Sequence, residues 1–380
     1  MRDLSVETQQ LFHAAQQRHD VVGMADVIHA HMEELLSLSG MDSCGILNGG
    51  HYALACAGEM ALACDRPEYT MMYFIDWLRL VHDHQLILFS EAFRYLGIAG
   101  ACLGHFDWAE KMFARSLPGN EENAAYEREI AAARVDGRKT VTLLLRLPAL
   151  LPHGDGWRDV PIFINSRDRL NCLQQLVSWL RQAGYRRIYI LDNASTYVPL
   201  LSYYESLKGE RGIEVIRLPN LGHVALWSSG ILDQLDIKTV YVYTDSDVLP
   251  QEGCPKDIVR RLYRLLRRYP FVDKAGPGIE YRDITFWDKE RIQRGHPEFY
   301  RVPLEQDVYF APLDTTFALY RPVRSYRLFS AIRTTGAMMV RHLPWYLDAE
   351  NLPEDERYYM AHANESSTQA RTYHARRCDE

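Results

Sequence analysis

What this sequence has little of narrows its class before any motif is considered. It has no excess of positive charge: 43 Lys and Arg stand against 50 Asp and Glu, a net charge of -7 at pH 7. That balance argues against a nucleic-acid binder working by phosphate neutralisation. It has no long apolar run. The most apolar short stretch, Val141 to Leu151, is broken by Arg146 and Pro148 and is too short to span a bilayer. Its first ten residues are polar and lack the apolar core of a secretory signal. It also lacks paired cysteines: the seven lie at 44, 56, 64, 102, 172, 254 and 378, without C-x-x-C spacing. An odd, scattered set fits reduced thiols and a cytoplasmic protein. Zinc on Cys44, Cys56 and Cys64 is conceivable, but small buried apolar residues are the better reading.

Proline is almost absent before residue 135, and no alternating strand pattern occurs there. Helices are therefore expected over Glu7 to His19, Val21 to Leu38, Tyr52 to Cys64, Thr70 to Asp83, Gln85 to Leu103 and Glu121 to Arg134. A Gly-rich loop, Cys44 to Gly50, separates the second from the third. In Leu103-Gly104-His105-Phe106-Asp107-Trp108-Ala109, running on to Phe113 and Ser116, the chain resembles the second half of a tetratricopeptide repeat. An ordinary helical hairpin accounts for the same residues. Asp136-Gly137 ends the helical part, and Val141 to Leu147 reads as a strand or a short buried segment. The expected division is 1–135 helical, 136–158 linker, 159–350 α/β and 351–380 a C-terminal tail. With 380 residues and 47% hydrophobic content there is room for two domains.

From Val160 the pattern becomes strand-helix alternation, the mark of a parallel sheet with crossover helices. Val160 to Ile164 is a strand ending at Asn165-Ser-Arg167-Asp168-Arg. Leu170 to Ala183 is an amphipathic helix with Leu173, Leu176, Val177 and Leu180 on one face and Gly184 at its cap. Arg187 to Leu191 is a strand ending at Asp192-Asn193-Ala-Ser195-Thr196. Val198 to Leu207 is a helix, Ile213 to Ile216 a strand, Asn220-Leu-Gly222-His223 a turn, and Val224 to Leu235 a helix. A fourth strand then delivers Asp245 and Asp247. Side chains at i and i+2 share a face of a strand, so these carboxylates can converge on one hard cation. Ligands of open α/β sheets bind at the carboxyl ends of strands, and three such ends here are polar or acidic.

Taken together, this order of motifs resembles the GT-A glycosyltransferases, in particular their family-2-like branch, over Val160 to Leu249 and more loosely to Asp348. The resemblance rests on Asn165 with Arg167, on Asp192 to Thr196, on Asn220 with Gly222, and on Asp245 with Asp247. It implies a metal-dependent hexosyltransferase using a nucleotide-sugar donor, a glycan or lipid-linked acceptor, and surface polysaccharide assembly. Asn165, Arg167, Asp168, Asp192, Asn193, Asn220, Gly222, Asp245 and Asp247 are then the expected donor-binding residues. Asp245 and Asp247, with His342 ahead of Pro344-Trp345, would hold Mn²⁺ or Mg²⁺. Asp314 is the expected general base, although Leu313 stands where the family's glutamate would be, which leaves Glu280, Asp283 and Asp307 as alternatives. Ordinary readings stand beside these: Asp192 as a turn-forming Asx residue, Asp245 and Asp247 as strand-end acids facing solvent, Asp314 as a strand-edge carboxylate paired with a neighbouring arginine, and His342 as a hydrogen-bonded core histidine.

Downstream, Asp257 to Tyr269 is a basic helix whose arginines are either solvated or set against anionic lipid. Phe271 to Gly278 reads as a strand running into a tight turn, Asp283 to Glu305 as acceptor-side loops, and Tyr309 to Arg321 as one buried strand. The tail from Asn351 is expected to wrap back over the sheet. The helices before Gly137, rich in aromatics, suit partner binding or self-association. Two other functions fit less well. A nucleotidyltransferase would show a Gly-rich loop after the first strand, and here that position is Asn-Ser-Arg-Asp-Arg. A helical adaptor with an inactive transferase-like domain would have no need of both Asp245 and Asp247.

Overall fold

The computed structural model describes residues 66–83, 91–116, 121–141, 156–269, 272–285, 289–300, 303–323, 331–348 and 350–363, with single positions at 14, 54–55, 58–59, 61–62 and 326. The helices expected over Val21 to Leu38 and, apart from Ala14, over Glu7 to His19 lie outside these residues. So do the Cys44 to Gly50 loop, Cys56, Cys64 and all but Val141 of the Val141 to Leu147 segment.

Every described element before Gly137 is helical: α1 (Pro67–Asp83), α2 (Glu91–Cys102), α3 (Phe106–Phe113) and α4 (Glu121–Val135). Proline at the first position and Glu68 in the first turn suit the start of α1. Phe74 stacks on Tyr95 at 5.3 Å, joining α1 to α2. Ala109, Phe113 and Ser116, the residues behind the repeat-like reading, are buried, and the Ser116 hydroxyl donates to the Phe113 carbonyl at 2.7 Å. This is the packing of a helical hairpin, which does not by itself make a repeat array. One apolar core continues from Phe74, Trp77 and Ile130 into Ile162, Val242 and Val340 of the sheet. Helices and sheet thus share their buried apolar surface.

The second part alternates as expected: β1 (Ile162–Ser166), α5 (Leu170–Ala183), β2 (Ile188–Asn193), α6 (Val198–Ser206), β3 (Ile213–Leu218), α7 (Ala225–Ser228), α8 (Ile231–Gln234) and β4 (Tyr241–Asp245). There follow β5 (Val248–Pro250), α9 (Ile258–Arg268), β6 (Lys274–Ile279), α10 (Lys289–Gly295), β7 (Pro303–Glu305), β8 (Val308–Phe310), β9 (Ala318–Tyr320), β10 (Ala331–His342) and α11 (Glu354–His362). They form one ten-stranded sheet of order β3-β2-β1-β4-β9-β6-β10-β8-β7, with β5 paired to β10. The β3-β2-β1-β4 half is parallel, and β9 enters antiparallel between β4 and β6. This is the mixed α/β sheet with crossover helices that the strand-helix alternation predicts.

Four elements differ from the sequence reading. Asp283 to Glu305, expected as loops, contains α10 and β7. The helix expected over Val224 to Leu235 is two short helices, because Gly230 sits between them at φ 68° in the left-handed region. The single strand expected over Tyr309 to Arg321 is split into β8 and β9, and the loop between them presents Asp314. Gly276-Pro277-Gly278 is not a turn but the middle of β6. Proline cannot donate to a ladder, and β10 accommodates it with an irregularity: Thr334 pairs with Pro277, and Met339 already pairs with Gly278. The glycines are there for proximity. A Cβ on Gly276 would stand 2.6 Å from both Leu313 Cδ2 and the Phe317 carbonyl oxygen.

Gly276→Ala therefore overpacks the seam beneath the Asp314 loop. It should lower stability by about 1–3 kcal/mol, read as a lower denaturation midpoint at unchanged slope. A midpoint equal to wild type would show that the seam yields freely.

Candidate active site

Parallel pairing sets β1, β2 and β4 in register, with Asn165 beside Asp245 and Ser166 beside Asp192. Their carboxyl ends open into a cavity of about 220 Å³. Of the residues singled out from sequence, Asn165, Arg167, Asn193, Asn220, Gly222, Asp245 and Asp247 line it. Arg169, His223, Ser246 and Tyr359 line it as well, and sequence reasoning assigned none of them a role.

Asp245 and Asp247 are the electrostatic centre. Asp245 accepts from Asn165 Nδ2 at 3.2 Å and from the Thr315 hydroxyl, while its backbone N–H donates to the Thr315 carbonyl at 2.8 Å. Burial first, and then the Asp247 charge, push the Asp245 carboxyl up to about 8 in spite of those hydrogen bonds. Asp247 goes the other way. Burial opposes its ionisation, but His342 and Arg169 outweigh burial and hold its pKa below the ordinary carboxylate range. The two carboxyls are thus pushed in opposite directions, Asp247 toward the anion and Asp245 toward the protonated form.

The Arg169 guanidinium lies between two acids. It donates to Asp247 Oδ2, and through Nε and Nη2 it grips Glu356 in a bidentate pair at 2.8 and 2.7 Å. Tyr359 covers it, with the guanidinium carbon 3.8 Å from the ring centre. Glu356 and Tyr359 come from α11, nearly two hundred residues downstream. That helix is docked further by Asp355, which accepts from the Asn171 N–H at 2.8 Å and from its side-chain amide at 2.7 Å. As far as residue 363 the tail does wrap back, against the N-terminal end of α5, and through Tyr359 it completes the wall of the cavity.

Asp168 and Asp192 stand behind that wall, fully buried. Asp168 takes φ 54° and accepts the Thr196 and Tyr197 N–H groups at 2.7 and 2.9 Å. It therefore braces the β2 turn. Asp192 accepts from the Tyr204 hydroxyl at 3.0 Å and pairs with Arg217 at 2.8 Å. Asn193 clamps the 220–222 turn: its amide donates to the Gly222 carbonyl at 2.9 Å and its oxygen accepts the Leu221 N–H at 2.6 Å.

Asp314 is exposed on the β8–β9 loop and does not line the cavity. It sits next to Thr315, which holds Asp245, and its Oδ1 accepts from the Tyr326 hydroxyl at 2.6 Å. Buried Lys274 supports this loop by donating to the Leu313 carbonyl. Burial lowers the Lys274 pKa to about 7, against the raising influence of Asp314. Of the alternative acids, Glu280 is bound to Arg282 at 2.6 Å, and Asp283 pairs with Arg341. Asp307 accepts from the Thr335 hydroxyl at 2.8 Å. His342 Nε2 lies 3.4 Å from Asp247 Oδ2.

Among the described residues, no three Asp, Glu, His or Cys side chains are grouped closely enough to hold a metal by themselves. The atoms on offer nevertheless suit a hard cation completed by a ligand's oxygens. Asp247 Oδ1 and Asn165 Oδ1 are buried without a hydrogen-bond partner, and both are oxygen donors of the kind Mg²⁺ and Mn²⁺ prefer.

Because Asp245 titrates at about 8 when folded against an ordinary 3.8, the native state holds an extra proton between those values. Wild-type stability should fall with rising pH across that window. Asn at this position cannot ionise. Thermal midpoints of wild type and Asp245→Asn should therefore diverge, with the variant gaining from pH 4 to pH 8 and the gap constant above. A gap that does not change with pH would place the Asp245 pKa in the ordinary range.

No protein-family model and no curated protein matches the chain. Among solved structures it is similar to a mannosyltransferase from Pyrobaculum calidifontis in complex with GDP-Man and Mn²⁺, at 12% identity and a TM-score of 0.31, over 57% of this chain and 64% of that one. It is also similar to GalNAc-T7 with UDP, GalNAc and Mn²⁺, at 11% identity and a TM-score of 0.30, over 60% of this chain and 53% of that one. The chain thus spans less than two thirds of either protein.

Proposed function

We propose that the protein is a metal-dependent glycosyltransferase that moves a sugar from a nucleotide-sugar donor to a glycan or lipid-linked acceptor, in surface polysaccharide assembly at the cytoplasmic side of a membrane. The observation that carries this reading is the pairing of Asp245 and Asp247 at the end of β4, on one cavity with Asn165, Asn193 and the 220–223 turn. Those groups stand at the carboxyl ends of adjacent parallel strands, where open α/β sheets bind ligands. A cation, Mn²⁺ or Mg²⁺, would be held by Asp245 and Asp247 beside His342, and when bound it supplies charge neutralisation for the diphosphate leaving group. Arg167 and Arg169 add positive charge to the wall that faces it. The transferase unit would run from about residue 159 through α11, and the helices before Gly137 are its partner or self-association surface.

In this reading Asp314 takes the proton of the acceptor hydroxyl as the sugar is transferred. Tyr326, which donates to Asp314 Oδ1, orients the carboxylate, and Lys274 fixes the loop that presents it. Asp314 lies outside the cavity but one residue from Thr315, the group that holds Asp245, and in this reading it would face the acceptor.

The test is a panel of nucleotide sugars with and without Mn²⁺, read first as thermal stabilisation and then as turnover with the stabilising donor. Stabilisation that requires the metal is expected for at least one UDP- or GDP-sugar, and none for any would refute the reading. With that donor, Asp314→Asn should lose turnover by roughly 10²–10⁴-fold while binding donor and metal as wild type does. Loss of donor binding would move Asp314 into the donor site, and unchanged turnover would make it a surface acid.

A further inference from the structure

Arg169 is the most completely restrained cation in the cavity. It is buried, ion-paired to Asp247 on one side and gripped by Glu356 on the other, and covered by the Tyr359 ring at 3.8 Å. Such a side chain is costly to bury for stability alone, since a buried pair rarely outperforms well-packed apolar residues. Its position also departs from a closed structural pair, because Arg169 and two of its three neighbours, Asp247 and Tyr359, line the cavity. The bidentate grip uses Nε and Nη2, which fixes the plane of the guanidinium, while Nη1 is directed to Asp247 Oδ2. A planar fork held this way matches phosphate oxygens geometrically, as a flexible lysine would not.

The same contact makes Arg169 a competitor. Asp247 Oδ2 cannot serve the guanidinium and a divalent cation equally, since like charges brought to one oxygen repel. Asp247 Oδ1, by contrast, is buried without a hydrogen-bond partner. A cation approaching Asp247 therefore meets one free oxygen and one already engaged by Arg169. Glu356 keeps its bidentate hold on the guanidinium in either case, and Asp355 anchors that helix to Asn171 independently. The guanidinium can give up Asp247 without leaving the cavity wall.

We propose that Arg169 is a diphosphate-binding residue of the donor site, held by Glu356 and Tyr359 of the C-terminal helix, and that it exchanges Asp247 for the ligand's phosphate oxygens when a divalent cation takes that carboxylate. This rests on the nucleotide-sugar reading and adds to it a specific residue and a role for α11. The C-terminal helix is then part of the donor site, and a ligand's diphosphate and the metal bind cooperatively because each relieves the other's electrostatic cost.

The proposal has an unusual signature, because removing Arg169 should affect its two ligands in opposite directions. Arg169→Gln alone would strand Glu356 as an unpaired buried charge, so the principal variant is the double change Arg169→Gln with Glu356→Gln, which removes both partners together. In the full chain, Mn²⁺ binding without nucleotide, followed by electron paramagnetic resonance, should tighten at least threefold. Binding of UDP or GDP in saturating Mn²⁺, followed by calorimetry, should weaken about tenfold or more. Arg169→Lys, which keeps the charge but loses the fork, should fall between wild type and the double variant for the diphosphate. Weakening of both ligands by the same factor, or of neither, would make the ion pair purely structural and overturn the proposal. If the double variant does not fold, equal diphosphate affinity in Arg169→Lys and wild type overturns it as well. Failure of the wild-type chain to bind either ligand would instead refute the underlying donor-site reading.

Discussion

Two carboxylates placed one residue apart at a buried strand end cannot both be charged unless a cation is near, and much of this structure answers that constraint. His342 and Arg169 favour the Asp247 anion, while burial and the Asp247 charge favour the protonated form of Asp245. Satisfying Asp247 fixes the N-terminus of α5, because Arg169 stands at the cap position of that helix. Satisfying Arg169 in turn brings in Glu356, and with it α11 from the far end of the chain. The ion pair therefore links the first strand-end turn, the fourth strand and the C-terminal helix into one wall. Breaking such a pair on one side leaves a buried charge uncompensated, a loss on the order of 3–5 kcal/mol.

Much of the framework was legible because its signals are local. Leu173, Leu176, Val177 and Leu180 recur at helical spacing, and Gly184 caps the helix in the left-handed region, so the reading of Leu170 to Ala183 matched the structure at both ends. The β1, β2, β3 and β4 runs were short, β-rich and bounded by turn residues, and their order told which polar ends would meet. The pattern failed where tertiary packing overrides local chemistry. Gly276-Pro277-Gly278 has the composition of a turn, yet these residues are strand, with Leu313 and Phe317 packed where a side chain at 276 would be and Tyr300 and Thr334 where one at 278 would be. Gly230 and the loop between β8 and β9 interrupted runs whose composition alone suggested continuity.

The site divides in the same way. Asn165, Asn193, Gly222, Asp245 and Asp247 meet because they occupy equivalent ends of neighbouring strands, which a sequence pattern can convey. Asp168 and Asp192 were drawn from the same motifs but serve the wall from behind, bracing turns through backbone N–H groups and Tyr204. Asp168 is turned from the cavity at a φ of 54°, and no composition signal reports that. Glu356 and Tyr359 are separated from Arg169 by almost the whole α/β unit. Their only local mark is an acidic first turn after Pro353, which announces a helix start and says nothing of where that helix docks.

The central claim is that the Asp245–Asp247 pair is a divalent-cation site that a nucleoside diphosphate completes. Titration of Mn²⁺ into the full chain, with and without UDP or GDP and followed by electron paramagnetic resonance, measures this directly. One Mn²⁺ bound per wild-type chain, tightened by the diphosphate and lost in Asp247→Ala, is the result the account predicts. Mn²⁺ binding that Asp247→Ala leaves intact, or the absence of binding with the diphosphate present, would contradict it.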